Sequence, residues 1–197
     1  MQTVFWLAAG LVVYVYIGFP VLLLLLRVFI RRHPRIQPVE PVVSLLVAAY
    51  NEADVIAKKI DNALDLDYPA ERLEIVIADD GSDDDTANLA AAAALGDPRV
   101  RVIRYPNNRG KVRVLNDTVP QLKGEIVAFS DASSMITPHS LRLLASHFAD
   151  AHVGVVSGTY EVRKKHEAAL GVQESFYWKY ESFLKLQESE LLQTRGW

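Results

Sequence analysis

Val42-Val43-Ser44-Leu45-Leu46-Val47-Ala48 is a short apolar run rich in strand-forming residues, and it opens directly onto Ala49-Tyr50-Asn51-Glu52. Helical spacing then takes over. From Glu52 to Leu64, Val55, Ile56, Lys59, Ile60 and Ala63 recur at intervals of three and four, a stripe that includes one lysine. Strand followed by helix is one βα unit, and the same alternation continues downstream. Leu73–Ala78 reads as a second strand, followed by a helix from Ser82 through the alanine run to Leu95, with Asp83, Asp84 and Asp85 suited to its positive end. Val100–Tyr105, Glu125–Ser130 and Val153–Ser157 read as three more strands. Lys111–Leu122 and Pro138–Phe148 read as helices, the latter with Thr137 at N-cap and Pro138 at N1. Alternation of this kind predicts an α/β fold: a mainly parallel sheet flanked by helices, with ligands gathered at the carboxyl ends of the strands.

Working outward, the 197 residues carry a net charge of −3 and no cysteine. Disulfide frameworks and Cys-ligated metal sites are excluded. Met1–Leu26 contains no charged side chain, and removing residues 1–30 leaves 20 basic and 24 acidic residues, a net of −4 over 167. That balance argues against nucleic acid as a partner. Val4–Leu26 would span about 34 Å as a helix at ~1.5 Å per residue, which predicts a transmembrane helix within residues 1–30. No basic n-region precedes it and no small-residue cleavage site follows it, so an uncleaved anchor is expected rather than a signal peptide. Arg27, Arg31, Arg32, His33 and Arg35 follow the apolar run, placing the soluble domain in the cytoplasm by the positive-inside rule. Residues 31–41, with Pro34, Pro38 and Pro41, form a stiff basic linker, leaving residues 42–197 for the folded domain.

Four loops should open on one sheet edge: Ala49-Tyr50-Asn51-Glu52, Asp79-Asp80-Gly81-Ser82, Asn107 to Lys111, and Asp131-Ala132-Ser133. Neither G-x-G-x-x-G nor G-x-x-x-x-G-K-[ST] is present, so the dinucleotide and P-loop signatures are lacking. An acidic edge can hold a diphosphate if a hard divalent cation sits between carboxylate and phosphate oxygens. Asp131, at the end of a predicted buried strand, is the best single metal ligand, with an Asx-turn or N-cap as its structural alternative. Asp79 and Asp80 are candidate ligand-binding residues in a sequence that is also an ordinary turn. Lys111 reads equally as a phosphate contact or a solvated lysine. His139, His147, His152 and His166 lack ligand spacing and are expected at the surface or at caps.

Val43-Ser44-Leu45-Leu46-Val47-Ala48-Ala49-Tyr50-Asn51-Glu52, Leu66-Asp67-Tyr68-Pro69, Glu74-Ile75-Val76-Ile77-Ala78-Asp79-Asp80-Gly81-Ser82-Asp83-Asp84, Asn108-Arg109-Gly110-Lys111 with Leu115-Asn116, Gly124-Glu125-Ile126-Val127 and Asp131-Ala132-Ser133 follow one another in order. This series, over about residues 41–190, resembles the family-two inverting glycosyltransferases, in particular their cellulose-synthase-like members. The resemblance implies a GT-A fold binding a nucleoside-diphosphate sugar, most readily a UDP-sugar. It places Ala49, Tyr50 and Glu52 along the nucleoside pocket, Asp80 with Asp79 beside it at the base or ribose, and Lys111 near the nucleotide. Asp131 matches the first aspartate of the family's D-x-D and would reach the diphosphate through Mg²⁺ or Mn²⁺, while Ser133 replaces the second.

The same family next supplies a Gly-rich acceptor segment and an acidic base, neither of which has a match here. Gln193-Thr194-Arg195-Gly196-Trp197 departs from the Q-x-x-R-W order of processive members. Two functions therefore stand: a membrane-anchored transferase moving a sugar with inversion to a glycan or lipid acceptor, and a truncated or inactive sugar-nucleotide-binding module. Phe176, Tyr180, Phe183, Leu184 and Leu191 share one face of a helix predicted over Val172–Leu192, expected to pack into the core.

Overall fold

A computed structural model describes residues 1–29, 35–158, 180, 181, 183–185 and 187. It divides into two compact units, one of residues Gln37–Ala149 and one of residues 1–36 with 150–197.

In the first unit, strands β1 (Val43–Ala49), β2 (Leu73–Asp79), β3 (Val100–Arg104) and β4 (Ile126–Asp131) form a wholly parallel sheet in the order β3-β2-β1-β4. Helices α3 (Ile56–Leu64), α4 (Thr86–Ala93), α5 (Lys111–Thr118) and α6 (Ser140–Ser146) connect and follow the strands. The period of two in a strand sends Val43, Leu45, Val47 and Ala49 to one face and Leu46 and Ala48 to the other. The first set packs with Ile75 and Ile77 against Ile56, Ile60 and Ala63 of α3, Ala90 of α4 and Leu141 and Ala145 of α6. The second set meets Val76, Ala78 and Val114 of α5. Burial on both faces is why β1 and β2 are mostly apolar, interrupted by Ser44 in β1 and by Glu74 and the terminal Asp79 in β2. β4 is less protected: Phe129, which pairs with Leu46 and so shares the α5 face, is 60% exposed.

Three helix boundaries differ from expectation. α4 begins at Thr86 rather than near Ser82, because Asp83 and Asp84 bind the loop after β1 instead of extending a helical turn. α5 ends at Thr118 and passes into a 3₁₀ turn at Val119–Gln121, where Pro120 has no N–H to continue the helix. α6 starts at Ser140 with His139 at the cap. Thr137, expected at that cap, instead closes a turn in which its carbonyl accepts the Ser140 N–H at 3.0 Å. The fifth strand expected at Val153–Ser157 does not form; these residues lack regular structure, and Val155 is 87% exposed, with no neighbouring strand to satisfy a ladder.

In the second unit, α1 (Gln2–Val13), a π-helical turn (Tyr14–Gly18) and α2 (Phe19–Phe29) run as one helix. Gln2–Leu26 is long and apolar enough to cross a membrane by length and composition. The widened turn precedes Pro20, which cannot donate to the Tyr16 carbonyl and whose ring crowds it. The Tyr180 hydroxyl donates to that carbonyl at 3.1 Å. The helix expected over Val172–Leu192 lies largely outside the described residues. Those described within it are helical, and Lys185 pairs with Glu181 at 2.8 Å.

Candidate functional site

The chain runs from β1 to β2 to β3 on one side of β1 and then crosses to β4 on the other. That reversal is a topological switch point, where loops at the carboxyl ends of neighbouring strands part and leave a crevice. Ala49 is level with Asp79, and Ala48 with Asp131, so both carboxylates flank the end of β1.

Beside β2, the polar groups are locked together. The Asp80 N–H donates to the Ala49 carbonyl at 2.8 Å, which places Asp80 at the end of the strand with 3% exposure. Its carboxylate accepts the N–H of Arg109 on Oδ1 at 2.9 Å and that of Gly110 on Oδ2 at 2.8 Å. Two backbone donors on one anion satisfy it without a cation and fix the loop between β3 and α5. Gly81 (φ +68°) makes that loop's approach possible, since a Cβ there would lie 2.5 Å from the Asn107 carbonyl carbon. Asp79, also 3% exposed, accepts the Ser82 hydroxyl at 2.5 Å.

The loop after β1 is sewn to the same region. Asn51, in the left-handed conformation (φ 55°), accepts the Asp83 N–H at 2.9 Å, and its own N–H donates to Ser82 Oγ at 2.9 Å. The Glu52 N–H donates to Thr86 Oγ1 at 2.8 Å, and the Ala53 N–H to Asp84 Oδ2 at 3.2 Å. The Thr86 hydroxyl beside Asp84 is the main influence holding that carboxyl below its ordinary range. Tyr50 stands half exposed above this lattice, its hydroxyl donating to Asp83 Oδ2 at 3.2 Å. Among the described residues the Glu52 carboxylate takes no hydrogen bond and stays available to a ligand. Asp83 and Asp84 thus act as loop ties, while Asp85 stands at the start of α4 as expected and accepts Asn88 Nδ2 at 2.6 Å.

On the β4 side, Asp131 is 58% exposed and, among the described residues, its carboxylate is paired only with the Lys111 ammonium, itself 59% exposed. Lys111 follows Gly110, so the loop clasped by Asp80 also delivers a cation to Asp131. Ala132 turns inward and is buried, while Ser133 faces solvent. Among the described residues no three His, Asp or Glu side chains converge as a metal cage. One carboxylate and one hydroxyl leave most positions of a hard cation to phosphate oxygens and water. This donor set fits a divalent ion shared with a diphosphate rather than one held by protein alone.

The sequence reading left Lys59 without a role, although its place in the apolar stripe of α3 was the signal. It is fully buried, and its ammonium donates to Ser130 Oγ at 2.7 Å and to the Ser134 carbonyl at 2.5 Å. Burial lowers its pKa to about 8, partly opposed by the Asp131 charge. Asn51 and Thr86 were missed too, since their roles depend on contacts across 31 and 34 residues. His139 and His152 take the surface places expected for them, beside Asp67 and Asp150 at 3.0 Å each. His166 lies outside the described residues.

Known proteins resemble this chain in sequence and fold. The glycosyl transferase family 2 model matches residues 44–195. The β-monoglucosyldiacylglycerol synthase of Trichormus variabilis is 36% identical over 141 residues, which are 71% of this chain and 29% of that protein. The poly-β-1,6-N-acetyl-D-glucosamine synthase of Staphylococcus aureus is 32% identical over 124 residues, 62% of this chain and 29% of that one. Among solved structures, a mannosyltransferase from Pyrobaculum calidifontis in complex with GDP-Man and Mn²⁺ superposes with a TM-score of 0.64 at 29% identity, covering 74% of this chain and 44% of that one. The chain spans less than a third of the length of these curated relatives. With a family match over most of its length and a parallel sheet of GT-A architecture, the chain belongs to glycosyl transferase family 2.

Proposed function

We propose that this chain is the donor-binding part of a membrane-anchored glycosyltransferase. It takes a nucleoside-diphosphate sugar, with a UDP-sugar favoured, and serves inverting transfer to a glycan or lipid acceptor. The observation that carries this reading is the pair of carboxylates at the switch point: Asp80 consumed by backbone amides, and Asp131 open to solvent beside Lys111. Ala49, Tyr50, Glu52, Asp79 and Asp80 line the nucleoside end, and Lys111, Asp131 and Ser133 the diphosphate end.

Bound between Asp131 and the diphosphate, Mg²⁺ or Mn²⁺ would supply positive charge to the leaving group. The solved mannosyltransferase complexed with GDP-Man and Mn²⁺ supports that choice. In the transfer, the acceptor hydroxyl oxygen forms a bond to the anomeric carbon from the face opposite the phosphate. The bond from that carbon to the phosphate oxygen breaks, and its electron pair leaves on the nucleoside diphosphate. The hydroxyl proton passes to an acceptor-side base. Lys111 would stabilise the charge that develops on the departing phosphate, a role supported by its pairing with Asp131. Anchoring by Gln2–Leu26 and a cytoplasmic domain rest on the apolar length and the arginines that follow it.

Calorimetric titration of the detergent-solubilised chain with UDP, GDP and their sugars, with and without Mn²⁺, tests the donor site. Mn²⁺ is expected to tighten UDP binding at least tenfold, and Asp131→Ala to remove that gain. A panel with no metal-dependent nucleotide binding would overturn the reading.

A further inference from the structure

The loop that carries Asp131 alternates. Ser130 meets Lys59, Ala132 is buried in the core, the Ser134 carbonyl meets Lys59 again, and Ile136 is held by Asn62. Asp131 and Ser133, the residues between, are exposed. The inward set decides where the outward set points.

The Ser134 N–H closes a local turn on the Asp131 carbonyl at 3.1 Å, and the long-range side-chain ties of the inward set run to α3. Lys59 and Asn62, three residues apart, lie on one face of the helix. Asn62 clamps the backbone of Ile136 in both directions: its Nδ2 donates to the carbonyl at 2.8 Å, and its Oδ1 accepts the N–H at 2.8 Å. Lys59 spans the other end of the loop, bracketing Asp131 and Ser133 between its two acceptors. The buried ammonium has a real desolvation cost, and an apolar side chain of similar volume would pack against Ile56 and Ile60 without it. Packing therefore does not account for a charge here. A fixed path for the chain from Ser130 to Ser134 does.

We propose that Lys59 is a positioning residue for the diphosphate end of the site: through Ser130 and the Ser134 carbonyl it holds the loop so that Asp131 and Ser133 face the ligand. Lys59 touches no ligand itself. The proposal rests on the donor-site reading above, and it separates the two ends of the site. Loss of Lys59 harms metal-dependent binding and spares the nucleoside end, whose ties run among the loops after β1, β2 and β3.

The test uses the full chain with Lys59→Met and, as a milder change that leaves the ammonium in place, Ser130→Ala. UDP affinity is measured with and without Mn²⁺, uridine affinity is measured alongside, and amide hydrogen exchange is followed without ligand. In Lys59→Met the Mn²⁺-dependent gain in UDP affinity is expected to fall about tenfold, with uridine affinity unchanged. The Ser134 and Ile136 amides are expected to exchange about tenfold faster while β1 and β2 amides keep their protection. Ser130→Ala shifts the same quantities less. An unchanged Mn²⁺-dependent gain with unchanged loop exchange overturns the proposal, as does equal loss of uridine and metal-dependent binding in a folded Lys59→Met. If Lys59→Met does not fold, Ser130→Ala decides by the same criteria. If the unsubstituted chain shows no metal-dependent binding, the donor-site reading fails, and the exchange of Ser134 and Ile136 still decides whether Lys59 holds the loop.

Discussion

Asp80 and Asp131 are the same residue type beside the same central strand, yet their surroundings are opposite. Asp80 is 3% exposed and has each oxygen on a backbone amide; Asp131 is 58% exposed and, among the described residues, meets only a lysine side chain. Backbone donors are rigid and cannot leave without unmaking a loop, whereas a lysine on a flexible stem can swing away. One carboxylate therefore fixes a loop, and the other carries an exchangeable partner. The neighbour, not the residue, sets the role.

Replacement of each aspartate by alanine is the strongest way to break this comparison. Asp80→Ala strands the Arg109 amide, at about 1–3 kcal/mol, and leaves the Gly110 amide with only Asn108 Oδ1 at 3.1 Å. A melting temperature lowered by roughly 4–12 °C is expected from a loss of about 2–3 kcal/mol in a chain of this size, together with loss of all nucleotide binding. Asp131→Ala should shift melting by about 2 °C or less, because an exposed ion pair of this kind contributes about 0.5 kcal/mol. Equal thermal shifts for the two variants would refute the division of roles.

A third carboxylate sharpens the contrast from the opposite edge of the sheet. Glu74 accepts the Ser44 hydroxyl at 2.6 Å and the Lys123 N–H at 2.9 Å, and meets Arg101 at 3.1 Å. Burial raises its pKa, but Ser44, the Lys123 amide and Arg101 together outweigh that and leave it below the ordinary glutamate value. The folded state thus prefers the ionised form. Its stabilisation is complete above the unfolded pKa near 4.5 and is lost as pH falls through the folded value. Glu74→Gln should lower the melting temperature at pH 7 by about 2–4 °C, on the order of 1 kcal/mol. That difference should shrink on acidification below pH ~4, with UDP affinity unchanged throughout. A constant difference from pH 7 to pH 3 would show that the charge of Glu74 does no stabilising.

How much of this was readable in the sequence follows from the range of the interactions. β1 and β2 are buried on both faces, so mostly apolar segments announce them locally, and the four loops after β1 to β4 are placed by alternation alone. Val153–Ser157 has the same local composition and fails as a strand because a strand also needs a partner, which composition does not record. Asp83 and Asp84 look like helix-start residues, and only the fold shows Asn51 and Ala53 claiming them from across the sheet edge. Lys59 is the instructive case: a lysine on an apolar stripe is an anomaly visible in the sequence, but its acceptors lie 71 and 75 residues away.

The smallest expected effect concerns Lys111, and it bears most directly on what an exchangeable carboxylate means. The Lys111 ammonium pairs with the same Asp131 carboxylate that a divalent cation would use. The two cations then compete, and removing one should favour the other. Lys111→Gln is expected to tighten Mn²⁺ alone about two- to threefold, the most that an exposed pair worth less than about 1 kcal/mol can withhold. The same change should weaken metal-free UDP by a similar factor, because the lysine that leaves Asp131 is the one free to meet a phosphate. Opposite signs in the two titrations are the signature of a lysine that changes partners. Weakening of both would instead make Lys111 a fixed brace for the loop after Gly110, and Asp131 would then resemble Asp80 more closely than their exposures imply.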